Sequence, residues 1–493
     1  MTSLMPVMSD HLSAHARFRP GSEALYDVDN ARRFTWAELR DLSLRWTATL
    51  KKHGVVRGDR VAVLAQNRGE TFAVLYACAQ LGATLFPINW RLAPAERQWQ
   101  LEHAKPRVCI EGPEFRGHLT DGALGPVLAL DVDPVDPPMT GPGAGADDPW
   151  MLLYTSGTSG RPKGALITHR QVHWNAVNTW LACDLDHSSS TLTCTPLFHT
   201  GGLNCLSTPV LAAGGRVVLT ASVEPARDLE LVRSEAITHL LGVPTIYEMW
   251  ANHAEFEGAD LGSVRDALCG GAPLSVDLLR RYLDRGLPLR QGFGMTEVGP
   301  NCFSLPHADQ PRKLGSVGKT IHHVAMRIVR PDGTECDPDE PGELWMSGPA
   351  VFGGYLDDPE ATAKAFDGPW FKTGDVLRRD RDGFYWVCGR QKAMFISGGE
   401  NVYPAEVEAA IFQISGVAQV AVIGVHDPRW GEAGHAFVEL RPGSTLTVDE
   451  IKALLEPRLA RFKIPKHWTL DPDLPRTGAG KIDKQALKRR STP

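Results

Sequence analysis

Strand-length apolar runs alternate with helical stretches through the first half of the chain, and this alternation limits the fold more than any other feature. "TWAELRDLSLRWTATLKKHG" carries apolar residues at helical spacing and ends in Gly54; "ETFAVLYACAQLG" does the same and ends in Gly82. Between and after them, "DRVAVLAQ" and "ATLFPIN" are short apolar runs bounded by polar residues, the pattern of buried strands. "WMLLYT", "GRVVLT", "THLLGV" and "LRQGFG" continue the series. Strand–helix–strand alternation predicts α/β layering on a largely parallel sheet.

The pattern changes twice. "HHVAMRIVRPDGTECDPDEPGELWMSGP" and "LRRDRDGFYWVCGR" alternate by two around Asp-Gly and Pro-Gly turns, which predicts hairpin-rich β structure. After Arg390 come a helix ("YPAEVEAAIFQIS"), strands ("VAQVAVIGV", "HAFVELRP") and a helix ("TVDEIKALLEPRL"). A boundary near 389–393 gives domains of residues 1–390 and 391–493, the second of a size that folds alone. Length suits about three compact units. The segment 133–149, "DPVDPPMTGPGAGADDP", is a linker; no strand leads into its glycines, so it is not a dinucleotide loop.

Net charge is -6, against a general nucleic-acid binder. No apolar run reaches the length of a membrane span, and the first residues lack a signal peptide's basic and apolar segments. The nine cysteines show no CxxC pair or regular spacing. Reduced thiols in the cytoplasm fit better than a disulfide framework, and no clustered Cys or His suggests zinc. The basic tail "KIDKQALKRR" predicts a solvated helix end.

The chemistry is written most densely in "YTSGTSGRPKG", residues 154–164. Glycines let backbone N–H groups approach an anion, hydroxyls add donors and a lysine adds charge. Thr155, Ser156, Gly157, Thr158, Ser159, Gly160 and Lys163 therefore form a candidate phosphate cradle. The spacing is not that of the GxxxxGK[ST] loop. Nine further segments follow in order: "PLFHTGGLN" (196–204), "GVPTIY" (242–247), "CGGAPL" (269–274), "QGFGMTEVG" (291–299), "WFKTGD" (370–375), "GFYWVCGRQK" (383–392), "SGGENVYPAEVE" (397–408), "DPRWGE" (427–432) and "PRTGAGKIDK" (475–484). Together they resemble the acyl-CoA synthetase and adenylate-forming enzyme superfamily across nearly the whole chain.

The resemblance implies a large N-terminal region of two doubly wound α/β subdomains plus a β-barrel subdomain, then a small mobile C-terminal α+β domain. It implies ATP, Mg2+ and coenzyme A as cofactors and a small-molecule carboxylic acid as partner. It assigns the β- and γ-phosphates to residues 155–163, the α-phosphate to Thr296 and the metal to Glu297. Adenine falls to Phe293, in a slot formed by Gly271, Ala272 and Pro273 and by Gln291, Gly292, Gly294 and Met295. Asp375 and Arg390 take the ribose, and Lys481 bridges the reacting carboxylate and α-phosphate. Lys392 is the hinge, followed by Ala393 where the family often has an acidic residue. Ser397, Gly398, Gly399 and Trp430 line the path of the thiol. His199 closes the carboxylate channel beside Phe198, with Gly201, Gly202 and Val243 in the acid pocket.

For the acid itself, a medium- or long-chain fatty acid is the first expectation, because Gly201 and Gly202 leave room for a tail. An aryl or cinnamate-type acid is the alternative, with Asn204 available to a ring hydroxyl. No arginine lies in "HTGGLN", "GVPTIY" or "CGGAP" to pair a second carboxylate, which disfavours dicarboxylates. Transfer to a carrier-protein thiol, a luciferase-like oxidase and a silent acyl-adenylate binder are further alternatives, and the motifs are compatible with a homo-oligomer.

Overall fold

A computed structural model of the chain describes residues 11–119, 125–155, 162–271, 274–390, 393–397, 400–427, 429–459, 461–477 and 481–491. The alternation seen in sequence folds into two mostly parallel sheets. The six-stranded one runs Val127–Ala129, Val108–Glu111, Arg60–Leu64, Thr84–Pro87, Pro149–Thr155, Lys163–Thr168. Only its last pair is antiparallel. The seven-stranded one runs Leu289–Gln291, Asp266–Cys269, His239–Gly242, Ser190–Thr193, Arg216–Leu219, Glu23–Asp27, Arg32–Thr35, again antiparallel only at its final pair.

Local chemistry fixes the helices that cover them. Thr35 accepts from the Glu38 N–H while Glu38 reaches back to the Thr35 N–H, capping the Trp36–Lys52 helix. Gly82 ends the Gly69–Leu81 helix at φ +68, where a Cβ would be strained. That helix is buried on every side, wedged between the sheets.

The hairpin-rich region is a five-stranded antiparallel sheet of Ala325–Val329, Gly342–Ser347, Phe366–Asp367, Trp370–Arg379 and Tyr385–Arg390. A Gly318–Tyr385 bridge ties it to the ribbon of Phe303–Ser304 and Lys319–Thr320. The C-terminal region has its own five-stranded sheet and its own core, in which Phe395, Val407, Ile411, Val422, Val438 and Ile451 are buried together. The basic tail is the helix Lys484–Ser491, which buries Leu487 and exposes Gln485, Lys488, Arg489 and Arg490.

One core group carries a pH liability. His169 opens the helix His169–Cys183, fully buried and stacked on Trp150 at 4.7 Å, and neither ring nitrogen has a partner among the described residues. Burial pushes its pKa down to about 4, against the pull of Asp148. The unfolded chain therefore binds a proton that the folded chain refuses, and stability falls as pH drops from about 6.5 toward 4. His169→Phe keeps the stack and removes the proton. It is expected to lessen the loss of melting temperature between pH 7.5 and pH 5; an unchanged loss would exonerate His169.

Candidate active site

In sequence, the phosphate cradle lies between two paired antiparallel strands. Strand Pro149–Thr155 enters it, strand Lys163–Thr168 leaves it, and Thr155 and Lys163 are cross-strand neighbours. Ser156, Gly157, Thr158, Ser159 and Gly160 lie outside the described residues. The strand ends deliver Thr155 and Lys163 beside Glu297. Thr155 Oγ1 is 3.5 Å from Glu297 Oε1, and the same oxygen accepts from the Tyr355 hydroxyl at 3.0 Å. Lys163 Nζ lies 4.7 Å from the centre of the Tyr355 ring.

Tyr355 is a site residue that the sequence reading missed. Its segment is stitched to both halves of the site. The Phe352 N–H donates to the Glu297 carbonyl, and residues 353–356 exchange backbone bonds with Gly164 and Leu166 of the strand leaving the cradle. The only sequence signal is the Gly353-Gly354 pair before it, which permits the close backbone approach.

Glu297 is 6 % exposed, and burial raises its carboxyl pKa against the Tyr355 and Thr155 hydroxyls. A buried carboxylate of this kind suits a cation whose other ligands are phosphate oxygens and water. Among the described residues no group of three His, Cys, Asp or Glu stands ready to hold a metal without them.

The segment from Gln291 to Asn301 is a folded turn. Gln291 ties down the neighbouring loop: its Oε1 accepts from the Leu274 N–H at 2.7 Å and its Nε2 donates to the Cys269 and Gly292 carbonyls. A Cβ on Gly294 would collide with the Pro300 backbone. Phe293 is half-buried, edge-on to Phe303 at 5.6 Å, and Met295 bridges to Gly299. Gln171 donates to the Thr296 carbonyl at 2.8 Å, holding that residue from the helix behind it. Gly271 takes φ +81 with Val243 alongside; Ala272 and Pro273 lie outside the described residues.

Asp375 and Arg390 face one another across adjacent strands, with Nε 3.0 Å from Oδ1. Asp375 is 6 % exposed; burial raises its pKa, while Arg390 and Lys481 pull it back. The Thr477 N–H donates to the Lys481 carbonyl at 2.7 Å, and Arg476 bridges to Ile482. The surface of Lys481 is open to water, yet the surrounding walls lower its pKa by desolvation, then by Arg390, against Asp375. His199 is the same kind of group, water-accessible but walled in. Its pKa is pushed down to about 4 by desolvation, Lys481 and Arg91, so the ring is neutral at pH 7. Lys481 thus lies within electrostatic reach of Asp375, Arg390 and His199 together.

The surroundings of His199 are aromatic. Phe198 packs edge-on to His199 at 4.6 Å and to Trp90 at 6.2 Å. Arg91 lies over Trp90 at 4.8 Å and forms no ion pair among the described residues. It comes from "NWRLAP", outside the three segments whose lack of arginine disfavours dicarboxylates, and so qualifies the case against a second carboxylate. The two glycines differ: a side chain on Gly201 would meet open space, but one on Gly202 would strike the Pro196 and Thr195 carbonyls. Gly202 therefore serves backbone packing and leaves no room for a tail. Asn204 is buried and bonded to Thr200 and Thr208. Val243 is exposed at the start of the Pro244–Ala251 helix. Ser397 is buried, and Trp430 is partly exposed with Arg429 over its ring at 4.8 Å. Lys392, Gly398 and Gly399 lie outside the described residues.

The model of the AMP-binding enzyme family matches residues 12–356, and that of the AMP-binding enzyme C-terminal domain matches residues 406–481. The chain belongs to the AMP-binding enzyme family. A feruloyl-CoA synthase of Amycolatopsis is 42% identical to this AMP-binding enzyme over 98% of each chain. An indoleacetate–CoA ligase of Aromatoleum aromaticum is 38% identical, again over 98% of each. Among solved structures, the o-succinylbenzoate CoA synthetase of Bacillus subtilis with its acyl-adenylate intermediate has a TM-score of 0.88 at 31% identity, covering 97% of this chain and 98% of that one. The same synthetase has been solved with ATP and magnesium ion. This AMP-binding enzyme is an acid–CoA ligase, and ATP, Mg2+ and coenzyme A are its cofactors. These relatives are named for aromatic acids, which favours the aryl alternative over the fatty acid expected first, although a fatty acyl CoA synthetase of Mycobacterium tuberculosis is also among the similar structures. No helix among the described residues is long and apolar enough to cross a membrane.

Proposed function

We propose that the enzyme joins an aromatic carboxylic acid to coenzyme A through an acyl-adenylate. In the first half-reaction a carboxylate oxygen attacks the α-phosphorus of ATP, the bond to the β-phosphate breaks, and acyl-AMP and pyrophosphate form. In the second, the thiol sulfur of coenzyme A attacks the acyl carbon, the thiol proton is lost, and AMP leaves with the electrons of the C–O bond.

The observation that carries this reading is the position of Lys481, within electrostatic reach of the Asp375–Arg390 pair and of His199 at the channel. The first half-reaction brings an anion to a polyanion, so a fixed cation between them lowers the barrier. Lys481 supplies that charge. Thr296 donates to the α-phosphate, and the segment ending at Lys163 holds the outer phosphates. Asp375 accepts from the ribose hydroxyls with Arg390 orienting it, and Phe293 stacks on adenine. Glu297 would hold magnesium, which would supply positive charge to offset the phosphates. Neutral His199 closes the channel without placing a second cation on the acid. The domain of residues 391–493 then turns about Lys392, bringing Ser397, Gly398, Gly399 and Trp430 to the thiol.

The aromatic lining of Phe198, Trp90 and His199 supports a flat substrate, since rings pack edge-to-face and offset at such contacts. The relatives' named acids support it too. Pyrophosphate release with ATP, magnesium and coenzyme A across straight-chain and aryl acids tests the reading. Highest kcat/KM is expected on an aryl acid; a maximum on a straight-chain acid would return the substrate to the fatty class.

A further inference from the structure

Asp375 owes its position to a break in the regularity of its own strand. Strand Trp370–Arg379 pairs with strand Gly342–Ser347 through Lys372 with Trp345 and through Val376 with Glu343. Thr373, Gly374 and Asp375 therefore stand where the partner strand has Leu344 alone, a bulge of three residues against one. On the other flank the register slips again: Val376 pairs with Gly389 and Leu377 with Val387, which leaves Cys388 over. Bulges re-aim side chains and recur beside active sites. Here the side chain at the bulge is Asp375, whose Oδ1 lies 3.0 Å from Arg390 Nε.

A bulge leaves backbone groups without ladder partners, and each has to be satisfied in another way. Two side chains do this. Thr373 Oγ1 donates to the Leu344 carbonyl at 2.7 Å and accepts from the Asp375 N–H at 3.1 Å. Glu343 Oε1 accepts from the Gly374 N–H at 3.0 Å, and its Oε2 accepts from the Trp345 indole N–H at 2.9 Å. Two N–H donors converge on Glu343, which suits a side chain that only accepts. Gly374 takes φ +71, a conformation open to it because it has no Cβ. Glu343 is half-buried and stands in "PGELWMSGP", a segment with no residue assigned to the nucleotide. Its charge also reaches Asp375, where it adds to the burial that raises the Asp375 pKa.

We propose that Glu343 is a positioning residue for the nucleotide: by holding the Gly374 N–H it fixes the bulge that aims Asp375 at the ribose hydroxyls. The proposal rests on the ribose assignment of Asp375 above and adds the residue that sets its geometry. A hydrogen bond weakens steeply when its angle is lost, and a displacement of about 1 Å can cost about a hundredfold. Without Glu343 the Gly374 N–H turns to water, the bulge relaxes, and Asp375 no longer meets the ribose squarely.

Calorimetric titration of the whole chain with ATP, 2′-deoxy-ATP and 3′-deoxy-ATP, each with magnesium, tests this in wild type and in Glu343→Ala. Wild type is expected to bind ATP about tenfold or more tighter than either analogue, as for the loss of a hydrogen bond to a charged group. Glu343→Ala is expected to bring both ratios to within about threefold, chiefly by weakening ATP. A merely loosened fold would weaken all three nucleotides alike and keep the wild-type ratios; that result overturns the proposal and leaves Asp375 on the ribose. Glu343→Asp, whose carboxylate falls short of the Gly374 N–H, gives the same readout if Glu343→Ala does not fold. Equal binding of the three nucleotides by wild type removes the ribose assignment of Asp375, and this proposal with it.

Discussion

Lys481→Ala is expected to reduce acyl-adenylate formation by about 10²–10³ in kcat, the usual result of removing one preorganised donor from developing charge. The defect should be confined to the first half-reaction. Acyl-adenylate supplied directly, with coenzyme A, should still give thioester and AMP at close to the wild-type rate, because no phosphorus bond is made in that step. Lys481→Arg should recover little: the ammonium acts as a compact point charge, which a planar guanidinium fork does not reproduce. Single-turnover assays of the two half-reactions decide the matter. Equal loss in both would mean that Lys481 supports the fold of the C-terminal region and not the phosphoryl step.

Glu297→Gln is expected to have an effect of similar size, about 10²–10³, with a different signature. Glutamine keeps the shape and still offers an oxygen to the Tyr355 hydroxyl, which lies 3.0 Å from Oε1, so the fold should survive. What disappears is the negative charge. Calorimetric titration with ATP should then show weaker magnesium-dependent binding while binding without magnesium is little changed. Tyr355→Phe should weaken the same coupling to a smaller degree, since it removes a donor and leaves the carboxylate. If Glu297→Gln bound ATP as well as wild type at every magnesium concentration, Glu297 would lose its assignment to the metal.

The sequence announced what is local and hid what is assembled. Helices and strands of the first half were visible because burial imposes periods of 3.6 and 2 on neighbouring residues, and glycines mark the ends. Asp375 and Arg390 are visible because each sits inside a short motif, and the sequence already allows them to pair; the strand register that pairs them comes from the fold. Tyr355 was hidden because its hydroxyl meets Glu297 across 58 positions, with only backbone pairing to bring them together. Arg91 was hidden because it reaches the channel from outside every recognised motif. Gly202 was read as empty volume when it is a point of backbone contact, and composition does not distinguish the two.

The cross-strand pairing of Thr155 with Lys163 has a consequence for how this enzyme can diverge. A hairpin tip tolerates exchange of its residues, but adding or deleting one in either arm shifts the register and turns every following side chain to the opposite face of the sheet. Lineages of such enzymes can therefore rewrite the letters of this loop while the spelling length stays fixed. Change elsewhere, as at Gly201, where a side chain would meet open space, leaves the ruler undisturbed.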